Sequence, residues 1–221
     1  MKASIAELLP LAAVVAISPV PILAVIMMLL TDRERANPLA FLAGWIFILT
    51  VLTSGALLAG ADSVSTTPSK TAAVIFVVAA VGLIALAIHE WRRRPRKGQP
   101  QRIEPWTKFL HTVTPARAFA LGVGLVIVAF KDLLSALQAG AVINDASLAL
   151  GQQIVAVIFF VLFSSLLIII PIAVAAAFGE RSVPTLHRWR QWLERHGRLV
   201  LACLFSLIAL LLLLQGLSVL L

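Results

Sequence analysis

Two adjacent charges, Lys131 and Asp132, stand near the centre of the run Ala118–Ile143, and no other residue of that run is charged. A run of that length crosses a bilayer as a helix. An ammonium or a carboxylate at the middle of such a helix costs about 2.5–3.5 kcal/mol on insertion scales. A chain that keeps both must turn them away from lipid, into a helix bundle or a wet cavity. That requirement constrains the fold more than any other stretch, and it marks the pair as a candidate functional site.

The rest of the chain reads as the housing for this pair. Hydrophobic residues make up 61% of the sequence and charged residues 13%, with a mean hydropathy of +1.02. A soluble domain carries roughly a quarter charged residues, so the chain is a polytopic membrane protein. Its net charge of +8 does not point to nucleic acid. Nearly all the Arg and Lys fall in short segments flanking apolar runs, which is the positive-inside pattern. The single cysteine, Cys203, lies within the last apolar run and is expected to be a small packing residue. His89, His111, His187 and His196 have no zinc spacing and no thiolate companions, so neither a metal site nor a cofactor is expected.

Six spans are predicted: Ile5–Leu30, Pro38–Gly60, Thr71–His89, Ala118–Ile143, Gln152–Phe178 and Leu199–Leu221. The first is too long for the apolar region of a cleaved leader, and cleavage after Ser18 would place Pro19 directly behind the cut, so it is expected to be retained. The fifth carries Ser164, Ser165 and Pro171, which suit a helix interface better than lipid. The sixth runs to the last residue, so no C-terminal soluble domain is expected. Fifteen Arg and Lys fall in the segments after spans one, three and five, against Lys2 and Lys70 on the other side. Both termini are therefore expected to face outward, with the basic segments cytoplasmic. Trp106, Phe109, Leu110 and Val113 recur at helical spacing in one basic segment, and Leu186, Trp189, Trp192 and Leu193 in another. Such stretches suit the headgroup layer, as simple interfacial anchors more readily than as specific lipid sites.

An odd number of spans per half makes span one and span four antiparallel counterparts, the arrangement of inverted-repeat transporters. The topology permits that repeat, although residue identity between the halves is too weak to establish it. The expected fold class is an all-α integral membrane protein of six transmembrane helices in two inverted three-helix repeats. The first repeat covers 1–90, a basic linker with a short amphipathic helix 91–117, and the second repeat 118–221.

Span one carries Ile17-Ser18-Pro19-Val20-Pro21 about midway. Each proline lacks an amide donor and disfavours helical geometry in the residue before it. Helix 1 is thus expected to break at Ser18–Pro21, with Ser18 and Val20 extended and a second half-helix starting near Pro21. Its unpaired amides would face the membrane interior, a favourable place for an anion. Lys131 lies at the corresponding depth of span four, so Ser18, Pro19, Val20, Pro21 and Lys131, with Asp132 and Gln138 beside them, form the expected substrate-binding set. Asp132 lies about 100° further round the helix and need not share the pocket. It has two open roles: neutralising Lys131 between substrates, or taking a proton to couple transport. Gln138, about two turns on, faces the side of Lys131 or bonds a neighbouring helix. A bland alternative stands beside these, a charge pair that merely ties spans four and one together.

The stretch Ala16-Ile17-Ser18-Pro19-Val20-Pro21-Ile22, with Met28–Arg33 and Pro38–Trp45 after it, resembles the GAP family, the peptidoglycolipid- or sulfolipid-addressing proteins of the lysine-exporter (LysE) superfamily. The resemblance extends over essentially the whole chain, through the basic connection after span three to Lys131. Members commonly read Asn-Pro-Lys-Asn around that lysine. This chain reads Ala129-Phe130-Lys131-Asp132, which leaves no signal for a break in span four. The resemblance implies movement of a lipid or glycolipid across the bacterial cytoplasmic membrane toward the cell envelope. A lysine and half-helix amides favour an anionic lipid or glycolipid as substrate. The energy source is expected to be secondary, since no nucleotide-binding Gly-rich loop is present. Export of a small amino-acid-like metabolite and a non-transporting scaffold for a larger lipid-export machine are the alternatives. A homodimer is compatible with each. An enzyme is not expected, because no nucleophile–base pair or metal cluster lies within the spans.

Overall fold

A computed structural model describes residues 2–31, 36–60 and 113–220, together with positions 81, 84, 85 and 88. The described residues are helical and contain no strand. In chain order the helices are α1 (Lys2–Ala16), α2 (Pro19–Leu29), α3 (Ala36–Ala59), α4 (Pro115–Val128), α5 (Phe130–Asp145) and α6 (Leu150–Phe178). A 3-10 turn, Gly179–Ser182, leads into α7 (Val183–Leu220). Two compact units form, one of 1–64 with 102–191 and the other of 65–101 with 192–221. The first contains α1 to α6 and everything described below as the site.

Among the described residues, Ala36–Ala59 and the stretch Leu150–His196 are long and apolar enough to cross a membrane. Two further spans follow if each bent pair counts as one: Ala6–Ala16 with Pro19–Leu29, bent by 55°, and Pro115–Val128 with Phe130–Asp145, bent by 80°. The expected third span and the Trp106–Val113 stretch lie almost wholly outside the described residues. The expected sixth span is part of α7, which starts at Val183 rather than near Leu199. The Leu186–Leu193 stretch is thus the opening of that helix and not a separate element. Of the apolar residues expected to share one face, Leu186 is buried and Trp192 exposed. Cys203 is exposed, not packed as expected. A lone thiol behaves as a small apolar group and needs no protein partner on a hydrophobic helix.

In lipid there is little hydrophobic drive between helices, so small residues that admit close backbone approach decide the packing. A Cβ on Gly44 of α3 would lie 2.2 Å from the Phe119 carbonyl oxygen of α4, and one on Gly122 would lie 2.3 Å from that of Phe41. Both glycines close the same pattern, Ala40-Phe41-Leu42-Ala43-Gly44 and Ala118-Phe119-Ala120-Leu121-Gly122. At the foot of the pair the Asn37 amide donates to the Val113 carbonyl at 2.9 Å. With Asn37 beside Val113 at one end and Thr53 beside Gly140 further on, α3 and α4 run parallel. Beyond the bend, Gly140 of α5 meets the Thr53 backbone of the same α3, where a Cβ would stand 2.4 Å from the carbonyl oxygen. Thus α3 carries both halves of span four. Helices α1 and α2 pack instead on α6, α1 also on α5 and α2 also on α3. Ser164, Ser165 and Pro171 of α6 are buried, and the Ser165 hydroxyl donates to the Val161 carbonyl at 2.7 Å.

Candidate functional site

Span one breaks where its prolines demand. The Ile17 amide closes the last turn of α1 on the Ala13 carbonyl at 3.0 Å. Ser18 is extended (φ −95°, ψ 111°), and α2 starts at Pro19, two residues before the expected Pro21. Val20 is therefore helical, contrary to expectation. The proline clash that breaks helices falls on the carbonyl four residues back, and for Pro21 that residue is Ile17, which lies outside α2. Ser18, Pro19 and Pro21 are buried, whereas Val20 is exposed.

Span four is not one helix. It ends at Val128 and restarts at Phe130, with Ala129 (φ −77°, ψ 86°) as the joint. The residues before it, Val126-Ile127-Val128, are β-branched and among the weaker helix formers. The residues after it include Asp132, whose carboxylate falls in the first turn of α5, where the helix dipole favours negative charge. Asp132 and Leu133 both donate their amides to the Ala129 carbonyl, at 2.8 Å and 3.1 Å. The break therefore moves both charges from mid-helix to the start of a half-helix.

The two breaks meet at Lys131. Its ammonium donates to the Val14 carbonyl at 2.8 Å and to the Asp132 carboxylate. Val14 O is the next carbonyl of α1 after the one taken by Ile17, and the broken helix gives it an ammonium in place of an amide. The Lys131 side chain is 12% exposed and that of Asp132 1%. The second carboxylate oxygen of Asp132 is buried and has no hydrogen-bonding partner among the described residues. Sequence reasoning set Asp132 off to one side by 100°. The lysine stem is long enough to fold back across the first turn and close that gap.

The pocket expected from sequence was a half-helix N-terminus beside a free ammonium. The geometry differs on both counts. Of the four amides that a helix start leaves unpaired, the two at Pro19 and Pro21 do not exist, which leaves Ser18 and Val20. Lys131 sits against the opposite, C-terminal end of α1, among acceptors. An ammonium has three hydrogens, and two are engaged. Gln138 lies two turns along α5 on the side of Lys131 and is exposed. Val14 was not singled out by sequence, since a backbone acceptor has no residue signature; only its position five residues before Pro19 hints at it. Among the described residues no three His, Cys, Asp or Glu side chains stand together as metal ligands would.

Residues 8–218 match the family described as Sap, sulfolipid-1-addressing protein. The chain belongs to that family. The match spans both breaks and Lys131, in agreement with the resemblance drawn from span one. No curated protein and no solved structure matches the chain. Membership in a sulfolipid-1-addressing family connects the protein with lipid export or addressing, and its apolar helices make it membrane-embedded.

Proposed function

We propose that this protein is a secondary exporter that moves an anionic lipid, glycolipid or related amphiphile across the cytoplasmic membrane. One observation carries the reading: Lys131 joins two chain breaks inside the bundle, through Val14 on one side and Asp132 on the other. Irregular backbone at membrane depth is tolerated where it is buried in protein or lines a cavity. Such breaks are the usual location of a transported group. In this reading the closed contact is the resting state, with Asp132 neutralising Lys131 between substrates. A headgroup oxygen first takes the third ammonium hydrogen and then competes with Asp132 for the lysine. Asp132, left without its counter-ion, accepts a proton and couples movement to the proton gradient. Loss of the Val14 contact frees the C-terminus of α1 to pivot at Ser18.

The inverted repeat belongs to this proposal. It is supported by the recurrence of element order, a bent pair followed by a continuous helix, in α1–α2–α3 and in α4–α5–α6. The parallel course of α3 and α4 agrees with spans two and four entering from one side, as the charge distribution requires.

Reconstitution tests the function. Purified protein in liposomes is expected to transfer a labelled anionic lipid between leaflets. Lys131→Ala is expected to abolish this, as is the double variant Lys131→Met with Asp132→Leu, which keeps volume but removes both charges. Full transfer by the double variant would reduce the pair to a tie between spans. Transfer that needs an added partner protein would favour a scaffold in a larger lipid-export machine. Transfer of a soluble amino-acid-like solute in place of lipid would favour metabolite export.

A further inference from the structure

We infer that Val14 O and the Asp132 carboxylate form a monovalent-cation seat, which the chain fills with its own Lys131 ammonium. The C-terminal end of a half-helix carries roughly half a negative charge on carbonyls that have lost their amides. Broken membrane helices use such ends to coordinate free cations. Here the last turns of α1 supply the carbonyl of Val14, and the start of α5 supplies a carboxylate buried to 1% exposure. Among the described residues the carboxylate keeps one oxygen unpartnered, so its acceptor capacity exceeds what the ammonium uses. Among the described residues, nothing else on the neighbouring helices answers that charge. Helices α3 and α6 contain no charged residue, α4 only Arg117 and α1 only Lys2 and Glu7. Among the described residues, the partners of the pair are Val14 and each other, not Glu7 or Arg117. Lys131 is thus the cation that the C-terminus of α1 and Asp132 jointly require, tethered to the chain so that none has to be recruited from solution.

The consequence is distinct from lipid transport and is read without it. Wild-type protein is expected to be indifferent to the identity of the monovalent cation. Lys131→Ala leaves the acceptors in place without their cation, so Na⁺, K⁺ or ethylammonium should enter the seat. The experiment follows thermal unfolding of the full chain in lipid nanodiscs, in equal concentrations of NaCl, KCl, ethylammonium chloride or N-methylglucamine chloride. For Lys131→Ala, a small cation at about ten times its Kd should raise Tm by about 3–6 °C over N-methylglucamine. The wild type should not change, and adding Asp132→Asn to Lys131→Ala should remove the effect. Folding of Lys131→Ala only when a small cation is present supports the seat equally. Should that variant fold in no salt, Lys131→Cys in a Cys203→Ala background decides. Aminoethylation restores an ammonium and should make Tm salt-independent, whereas S-methylation should leave it cation-dependent. Equal Tm in all four salts for the cation-free variants would overturn the inference.

Discussion

At Ser18 the chain is broken by two prolines; at Ala129 it is broken with none. The first break is written into local chemistry, because Pro19 and Pro21 remove two donors whatever surrounds them. The second is held by its neighbours. Gly122 before the bend and Gly140 after it both lie against the backbone of α3, so the two half-helices are fixed to one support. Helices α1 and α2 contain no glycine and have no such clamp. Their break leans on α6 and on the lysine that reaches over from α5. A locally encoded break held by side-chain packing thus faces a locally unmarked break held by close backbone contact.

The strongest way to break that comparison is to remove the contact between the two breaks. Lys131→Ala should destabilise the protein by about 3–5 kcal/mol, the cost of leaving a buried charge without its partner. Lys131→Met with Asp132→Leu should cost much less than either single change, in line with replacing a buried pair by apolar groups. Equilibrium unfolding in bilayer or detergent measures both, and a double variant worse than Lys131→Ala would deny the pairing. The clamp is tested next. Gly122→Ala sets a methyl 2.3 Å from the Phe41 carbonyl oxygen and should cost about 1–3 kcal/mol through overpacking. Gly124→Ala, with nothing within 4 Å of its Cβ, should instead stabilise by about 0.5–1 kcal/mol. Similar effects at the two positions would remove the clamp.

Changes at the breaks themselves sharpen the contrast. Pro19→Ala with Pro21→Ala restores donors facing the carbonyls of Val15 and Ile17, each bond worth about 0.5–1.5 kcal/mol. The variant should be more stable, show a smaller bend than 55° by spin-label distances across α1 and α2, and transfer less lipid. At the second break Ala129→Asn supplies a side-chain acceptor at the cap of α5 and should stabilise by about 0.5–2 kcal/mol without altering the bend. Destabilisation there would mean that Ala129 does not cap α5.

This contrast also explains what the sequence made legible. Pro19, Pro21 and the isolated Lys131–Asp132 pair are rare in apolar runs, so the first break and the charged residues could be read directly. The break at Ala129 could not, because its usual markers are missing. In the Asn-Pro-Lys-Asn pattern the asparagine falls at the cap and the proline at the first helical position, and here those places hold Ala129 and Phe130. Glycine contacts between α3 and span four do that work, and they are long-range. The Val14 contact was hidden for a related reason, since the acceptor is backbone. The neutralisation of Lys131 by Asp132, in contrast, was among the roles open from sequence.

The most direct test is an experimental structure of the protein in nanodiscs containing an anionic glycolipid. The account predicts a headgroup oxygen within hydrogen-bond reach of Lys131 Nζ, with the Asp132 or Val14 contact lengthened. An ordered headgroup bound elsewhere, with Lys131 still closed on Val14 and Asp132, would contradict it.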